Sequence, residues 1–465
     1  MSPQDDRPAT PATDGDAPLS RREAKETARQ DEARLGNAVE TAGGALPPPA
    51  VPASAAGPGS GPATESTLLQ RVVTGNALVA FLSVVLSLIL GGLLIAVTDE
   101  NVARASSYFF SRPQDTLAAG WAAASGAYIA LFQGAVFNFQ GETFARMIYP
   151  LTQTLTVATP LICAGLGVAL AFRAGLFNIG AQGQILIGAT FAAWVGFTLD
   201  LPAGIHLLLV ILAGMVGGAI WAGLVGVLKA RTGAHEVILT IMFNYIAVNL
   251  VLYFLSTPAF QRPGSTNPIS PQLDATALYP PLLGAGFRLH WGFVVAVLAT
   301  FFVAWLLNRS TVGFELRAIG ANSSAARTAG INVSKGYILA MAIAGALAGL
   351  AGVAQVSGTE KVLTSGVAAS FGFDAITVAL LGRSTPWGTF AAGILFGAFR
   401  AGGVTMQAST GTSIDIVLVV QSLIVLFIAA PPLVRALFRL PSPGAPRTGK
   451  GGSTTRTPAS TGAAA

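Results

Sequence analysis

From residue 77 onward the chain alternates long apolar runs with short polar gaps, and most of the runs approach the twenty or so helical residues that cross a hydrocarbon core. Apolar runs lie near 77–97, 151–171, 179–197, 205–228, 237–255, 291–307, 336–356, 371–383, 386–404 and 414–432. The pattern predicts an all-α integral membrane protein with about ten transmembrane helices. The stretch 117–139 is also apolar, but its small residues and Gly134 fit a helix lying at the interface. A span there would also break the charge alternation that follows.

Lys and Arg collect in alternate gaps: Arg71, Arg173, Lys229 with Arg231, Arg309 with Arg317, Arg327 and Lys335, Arg383, and Arg435 with Arg439. The positive-inside rule makes that side cytoplasmic, so both termini lie inside, and segments 98–150 and 256–290 lie outside. The membrane domain then runs over 71–440. Residues 1–70 and 441–465, rich in small residues and Pro, read as disordered cytoplasmic tails.

Composition agrees with lipid as the solvent: of 465 residues, 52% are hydrophobic and 10% charged, against roughly a quarter charged in soluble domains. The net charge of +6 sits mostly in loops and tails, with no basic stripe interleaved with aromatics, so no nucleic-acid partner is expected. Cys163 is the only cysteine, which excludes an intrachain disulfide. His206, His235 and His290 are scattered without a ligand partner at useful spacing, so no metal site is expected. Residues 444–451 nearly spell a phosphate-binding loop, but Gly451 replaces the Ser or Thr that would hold magnesium. The chain therefore carries no ATPase site of its own and no catalytic residues.

Several polar groups fall where lipid penalises them. Asn178, Gln182 and Gln184 stand among glycines at the start of one span, and amides there must face protein, water or solute. Residues 370–386 form a short apolar segment closed by Arg383 and Pro386. The two segments run in opposite directions through the membrane, the pattern of an inverted repeat whose broken helices mark a transport path. Asp374 is a carboxylate at membrane depth, usually paired or functional. Asn244 shares a span with Asn249 but not its face. Asn178, Gln182, Gln184, Asn244 and Asp374 are the candidates for the translocation path. Glu236 suits a helix start. Small residues at 214–218, 345–349 and 393–397 suit close packing of helices.

The cytoplasmic loop 308–335 is too structured in composition for a linker. It carries Glu315, Arg317, Gly320, Asn322, Ala325, Ala326 and Gly330. A short helix over 322–329, capped by Asn322 and stopped by Gly330, is predicted, of a size that docks in a groove on a partner.

Three stretches carry a family resemblance: Gly-Leu-Phe-Asn-Ile-Gly-Ala-Gln-Gly-Gln at 175–184, His-Glu-Val-Ile-Leu-Thr-Ile-Met-Phe-Asn-Tyr-Ile at 235–246, and Phe-Gly-Phe-Asp-Ala-Ile-Thr-Val-Ala-Leu-Leu-Gly-Arg at 371–383. With them the chain resembles, over about 155–430, permease subunits of the simple-sugar and nucleoside ABC importer family that work with basic-membrane-protein-type lipoproteins. Ribose and branched-chain amino acid importer permeases are related. The resemblance implies a plasma-membrane permease for nucleosides or simple sugars. Its partners would be a second permease, identical or homologous, two cytoplasmic ATPase subunits and an extracytoplasmic solute-binding lipoprotein, with membrane lipid around it. No cofactor would be bound by this chain, ATP being used by the partner, and the 311–331 loop would carry the coupling helix. The long tail before Arg71 departs from the compact start expected of the family. The alternative is an ion-gradient-driven secondary transporter, against which membrane-embedded acidic residues are few.

Overall fold

The structure, a computed structural model, describes residues 76–438. The expected tails, the phosphate-loop lookalike at 444–451, Arg71 and Arg439 lie outside the described residues. Fifteen α-helices follow in order among the described residues: α1 (Asn76–Thr98), α2 (Glu100–Ser106), α3 (Pro113–Ala135), α4 (Phe144–Arg173), α5 (Ala181–Thr198), α6 (Ile205–Thr232), α7 (Glu236–Leu255), α8 (Gly292–Arg309), α9 (Thr311–Ala321), α10 (Ser323–Thr328), α11 (Val333–Val353), α12 (Phe371–Leu381), α13 (Pro386–Thr410), α14 (Ile414–Ala429) and α15 (Pro431–Leu437). A π-helical turn, Ala354–Glu360, continues α11.

Six of these helices, among the described residues, are long and apolar enough to cross a membrane: α4, α6, α7, α8, α11 with its π turn, and α13. The number becomes seven if the pair Leu82–Thr98 and Glu100–Ser106, bent by 70°, forms one span. Helix α5 has 18 residues and opens on its two glutamines. Helices α12 and α14 are shorter apolar helices, of 11 and 16 residues.

Helix α4 is the axis of the fold. Every residue from Ala158 to Ala171 is buried, the signature of a helix enclosed on all sides. It packs on α13, α11, α12 and α8, while α11 packs on α6, α5 and α4. Crossings are close because glycine lets them be. A Cβ at Gly218 would meet the carbonyl oxygen of Gly345, and one at Gly349 the carbonyl of Gly214, so α6 and α11 touch backbone to backbone. Helix α3 lies against α1 and α13, with Gly134 under Thr405 and Gly402 under the Leu131 carbonyl.

The outward faces are apolar. On α6, Leu208, Leu212, Val216, Ile220 and Leu224 are all exposed, a row four residues apart that lies along one helix face. The segment 256–291 folds over the end of α11: Ser270 N–H donates to the Leu363 carbonyl (3.1 Å), Leu273 N–H to that of Lys361 (3.0 Å) and Tyr279 N–H to that of Ser357 (3.0 Å).

Candidate functional site

Between α4 and α5 the chain unwinds over 174–180, beginning at Gly175 with φ +74°, and side-chain amides replace the missing helical bonds. Asn178 and Gln184 exchange two hydrogen bonds, Asn178 Nδ2 to Gln184 Oε1 (3.1 Å) and Gln184 Nε2 to Asn178 Oδ1 (3.0 Å). Asn178 Oδ1 also accepts the Gly180 N–H at 3.0 Å. From α7, Asn244 accepts the Gly183 N–H (2.8 Å) and donates to the Ile179 carbonyl (3.0 Å), satisfying one of the free donors at the start of α5. Asn249 instead donates to the Tyr245 carbonyl of its own helix.

Gln182 faces the other way. Its nitrogen donates to the Ala369 carbonyl (2.6 Å) and its oxygen accepts the Gly372 N–H (2.9 Å). The first turns of α5 and α12 thus meet tip to tip, and four of the five path candidates frame the start of α5: Asn178, Gln184 and Asn244 on its own side and Gln182 across to α12. All four are buried, and their polar atoms are spent on protein.

Asp374, the fifth, sits in the first turn of α12 and pairs with Arg400 of α13 at 3.2 Å. Ser370 Oγ donates to Asp374 Oδ2 (3.0 Å), and Arg400 Nη2 donates to Ser370 Oγ (2.9 Å). The guanidinium also lies over the Phe371 ring, 4.4 Å from its centroid. Arg400 was not singled out by the sequence reading; its signal was a lone cation inside an apolar run, which demands a partner.

Arg400 and Phe371 form one wall of a cavity of about 540 Å³. Tyr149, Gln153 and Thr156 of α4 form another, and Gln355 and Thr359 of the π turn close it. Gln355 is buried and donates from Nε2 to the Val367 carbonyl at 3.3 Å. Its carboxamide oxygen takes no hydrogen bond from the described residues and is left to the cavity. Sequence reasoning also passed over Gln355, although it stood inside the expected 336–356 span. π turns are frequent at functional sites.

Beside that turn His290 is buried, stacked on Tyr279 (5.4 Å between ring centroids). Its Nδ1 accepts the Gly292 N–H at 3.1 Å, and its Nε2 has no partner among the described residues. Burial, with Arg288 nearby, pushes its pKa down to about 4, and burial raises that of Tyr279.

At the other end of α4 stands the 308–335 loop. Asn322 caps α10, accepting from Ser324 N–H and Ala325 N–H, both at 3.0 Å, and Gly330 follows with φ +87°. Ala326 is buried with Ile319 and Val333, while Glu315, Ser324, Ala325, Arg327 and Thr328 are exposed and Arg317 half-buried. Gly320 presses on the unwound segment: a Cβ there would meet the Arg173 carbonyl, and one at Gly175 would lie 3.0 Å from Gly320 Cα. Arg173 Nε donates to the Ser384 carbonyl (2.8 Å), tying the same end of α4 to the α12–α13 turn. From Thr156 to Arg173 the helix rises ~25 Å at 1.5 Å per residue, so cavity and loop are nearly a hydrocarbon thickness apart.

Residues 151–429 match the family described as "Branched-chain amino acid transport system / permease component". The chain belongs to this family. It is 41% identical, over 320 residues, to the guanosine ABC transporter permease protein NupP of Bacillus subtilis, an alignment covering 69% of this chain and 89% of that one. The glucose ABC transporter permease protein TsgB13 of Haloferax volcanii is 36% identical, with 60% and 76% covered. The nucleoside ABC transporter permease protein NupB of Lactococcus lactis is 34% identical, with 61% and 80% covered. No solved structure matches. Membership in this family, with several apolar helices, makes the chain a multi-pass membrane protein.

Proposed function

We propose that this chain is the plasma-membrane permease subunit of an ATP-binding-cassette importer that takes up nucleosides, with simple sugars the second cargo class. The observation that carries the reading is the 41% identity to a guanosine transporter permease across 89% of that protein's length. The placement of a largely apolar cavity bearing a few polar side chains and a small exposed helix at opposite ends of α4 supports it. ATPase subunits on the cytoplasmic side engage α10 through Ser324, Ala325, Arg327 and Thr328, a solute-binding lipoprotein delivers cargo at the cavity side, and a second permease completes the path. Both termini are cytoplasmic.

The packing also supports an inverted repeat of α4–α6 and α11–α13. Exchanging α4 with α11, α5 with α12 and α6 with α13 maps the α6–α11 contact onto α13–α4 and the α5–α11 contact onto α12–α4. A push on α10 reaches Gly320, then the backbone at Gly175, then the amide frame, and through Gln182 the start of α12 at the cavity wall. ATP hydrolysis is thereby coupled to the path without any covalent chemistry in this chain.

The test is to purify the native complex through a tag on this chain, identify its subunits by mass spectrometry, and measure guanosine and glucose uptake in proteoliposomes. A copurifying ATPase and lipoprotein with ATP-dependent uptake are expected. Uptake by the chain alone, driven by an ion gradient without ATP, would overturn the reading in favour of a secondary transporter.

A further inference from the structure

We infer that the cavity beside the π turn is a resting site for uncharged solute on its way through the membrane, and that Gln355 is the residue that contacts it. This rests on the importer reading above and assigns the chemistry of its path to particular residues.

Volume comes first. About 540 Å³ is within the range of small-molecule sites. Charge comes next. Arg400 is neutralised by Asp374 at 3.2 Å, and the remaining charged groups on the lining, Arg288 and Glu360, are opposite in sign. With these charges offsetting one another, the lining carries no net charge that would favour an anionic solute over a neutral one. The polar surface that remains is made of amides and hydroxyls, from Gln153, Gln355, Thr156 and Thr359, beside the exposed ring of Tyr149. That mixture suits a ring-shaped solute bearing hydroxyl or N–H groups.

Gln355 differs from the buried amides gathered around the start of α5. Asn178, Gln182, Gln184 and Asn244 each use both ends of the carboxamide within the protein. Gln355 uses only its nitrogen, in one long bond of 3.3 Å, and leaves its oxygen as an acceptor in the cavity. Within a membrane an acceptor without a partner costs free energy unless water or solute satisfies it. Gln355 stands in the π turn that follows the end of α11 and lines the cavity there. The ligand class is therefore an uncharged hydrogen-bond donor, either a sugar hydroxyl or a base N–H.

The experiment uses the complex purified through this chain, with its ATPase and binding protein, in proteoliposomes. Cys163 is the only cysteine of this chain and is buried. A Gln355→Cys variant thus places this chain's one reachable thiol in the cavity, open to a methanethiosulfonate reagent. Protection by guanosine but not by glucose or ribose is expected and assigns the site to base recognition; protection by glucose or ribose assigns it to sugar hydroxyls. Gln355→Met should slow uptake of the protecting solute by roughly three- to tenfold, the loss of one hydrogen bond, and Gln355→Asn should retain part of the rate. ATP-driven uptake by the wild type, with no protection by any of these solutes and an unchanged rate in Gln355→Met, would overturn this assignment while sparing the importer reading. A wild type that moves none of them on ATP would remove both.

Discussion

The Gly372 N–H donates to the side-chain oxygen of Gln182 at 2.9 Å, so one side chain at the start of α5 caps the start of α12. The same carboxamide donates to the Ala369 carbonyl, and no room exists for anything larger at the junction, since a Cβ on Gly372 would collide with the Gln182 backbone. Gln182→Leu leaves a donor and an acceptor without partners. Interhelical hydrogen bonds in membranes are worth less than isolated-group costs suggest, so the expected destabilisation is roughly 1 to 2 kcal/mol for the pair. Thermal unfolding in detergent measures it, and a midpoint equal to wild type would refute the clamp.

The Asp374–Arg400 pair behaves differently, because removing one member strands a charge. Side chains of both are largely buried, 25% and 29% exposed, so Asp374→Leu or Arg400→Met alone should cost about 3 kcal/mol. The double replacement should recover much of that loss, since a well-packed apolar pair is close to neutral against a buried ion pair. Unfolding midpoints of the two single variants and the double close the cycle, and strictly additive losses would contradict a coupled pair.

How far the sequence could be read follows from these two cases. Asn178, Gln182, Gln184 and Asp374 stand out because polar groups in apolar runs are conspicuous, and the short segment at 371–383 shortens further to Phe371–Leu381 in the fold. The helix capped by Asn322 is legible too, as capping is local. The identity of each partner is not, because Gln182 and Gly372 are 190 residues apart in the chain. Arg400 escaped for a physical reason: orientation is set by Lys and Arg in loops, which draws attention from a cation inside a run of small residues. The π turn has no sequence signature, since Gly358-Thr-Glu360 reads equally well as the end of a span.

Gly320 is expected to be a sensitive position of the cytoplasmic loop. Gly320→Ala drives a methyl into the Arg173 carbonyl, and overpacking of this kind costs about 1 to 3 kcal/mol. The cost falls where α9 meets the unwound 174–180 segment, so ATP-driven uptake should drop more than the yield of folded chain. Ala325→Gly, on the exposed face of α10, should leave the fold intact and weaken recovery of the ATPase. Size-exclusion profiles and copurification distinguish the two, and full uptake by Gly320→Ala would argue against transmission through this contact.

Stability near the 256–291 segment should depend on pH through His290. Its Nδ1 accepts from Gly292, it is stacked on Tyr279, and a proton added to the ring would bring a second positive charge near Arg288. Burial is the larger cause of its lowered pKa, about 4 when folded, against about 6.5 for an unperturbed histidine. The unfolded chain therefore binds this proton more readily between those values. Stability is complete above about pH 6.5, falls as pH drops towards 4, and levels off below it, a span on the order of 3 kcal/mol. His290→Phe keeps the stacking surface and removes the titration. The measurement is the difference in unfolding midpoint between wild type and His290→Phe at pH 7.5, 6 and 5, which cancels the carboxylates common to both. The difference should shift steadily in favour of the variant as pH falls, and a constant difference would show that His290 does not titrate in this range.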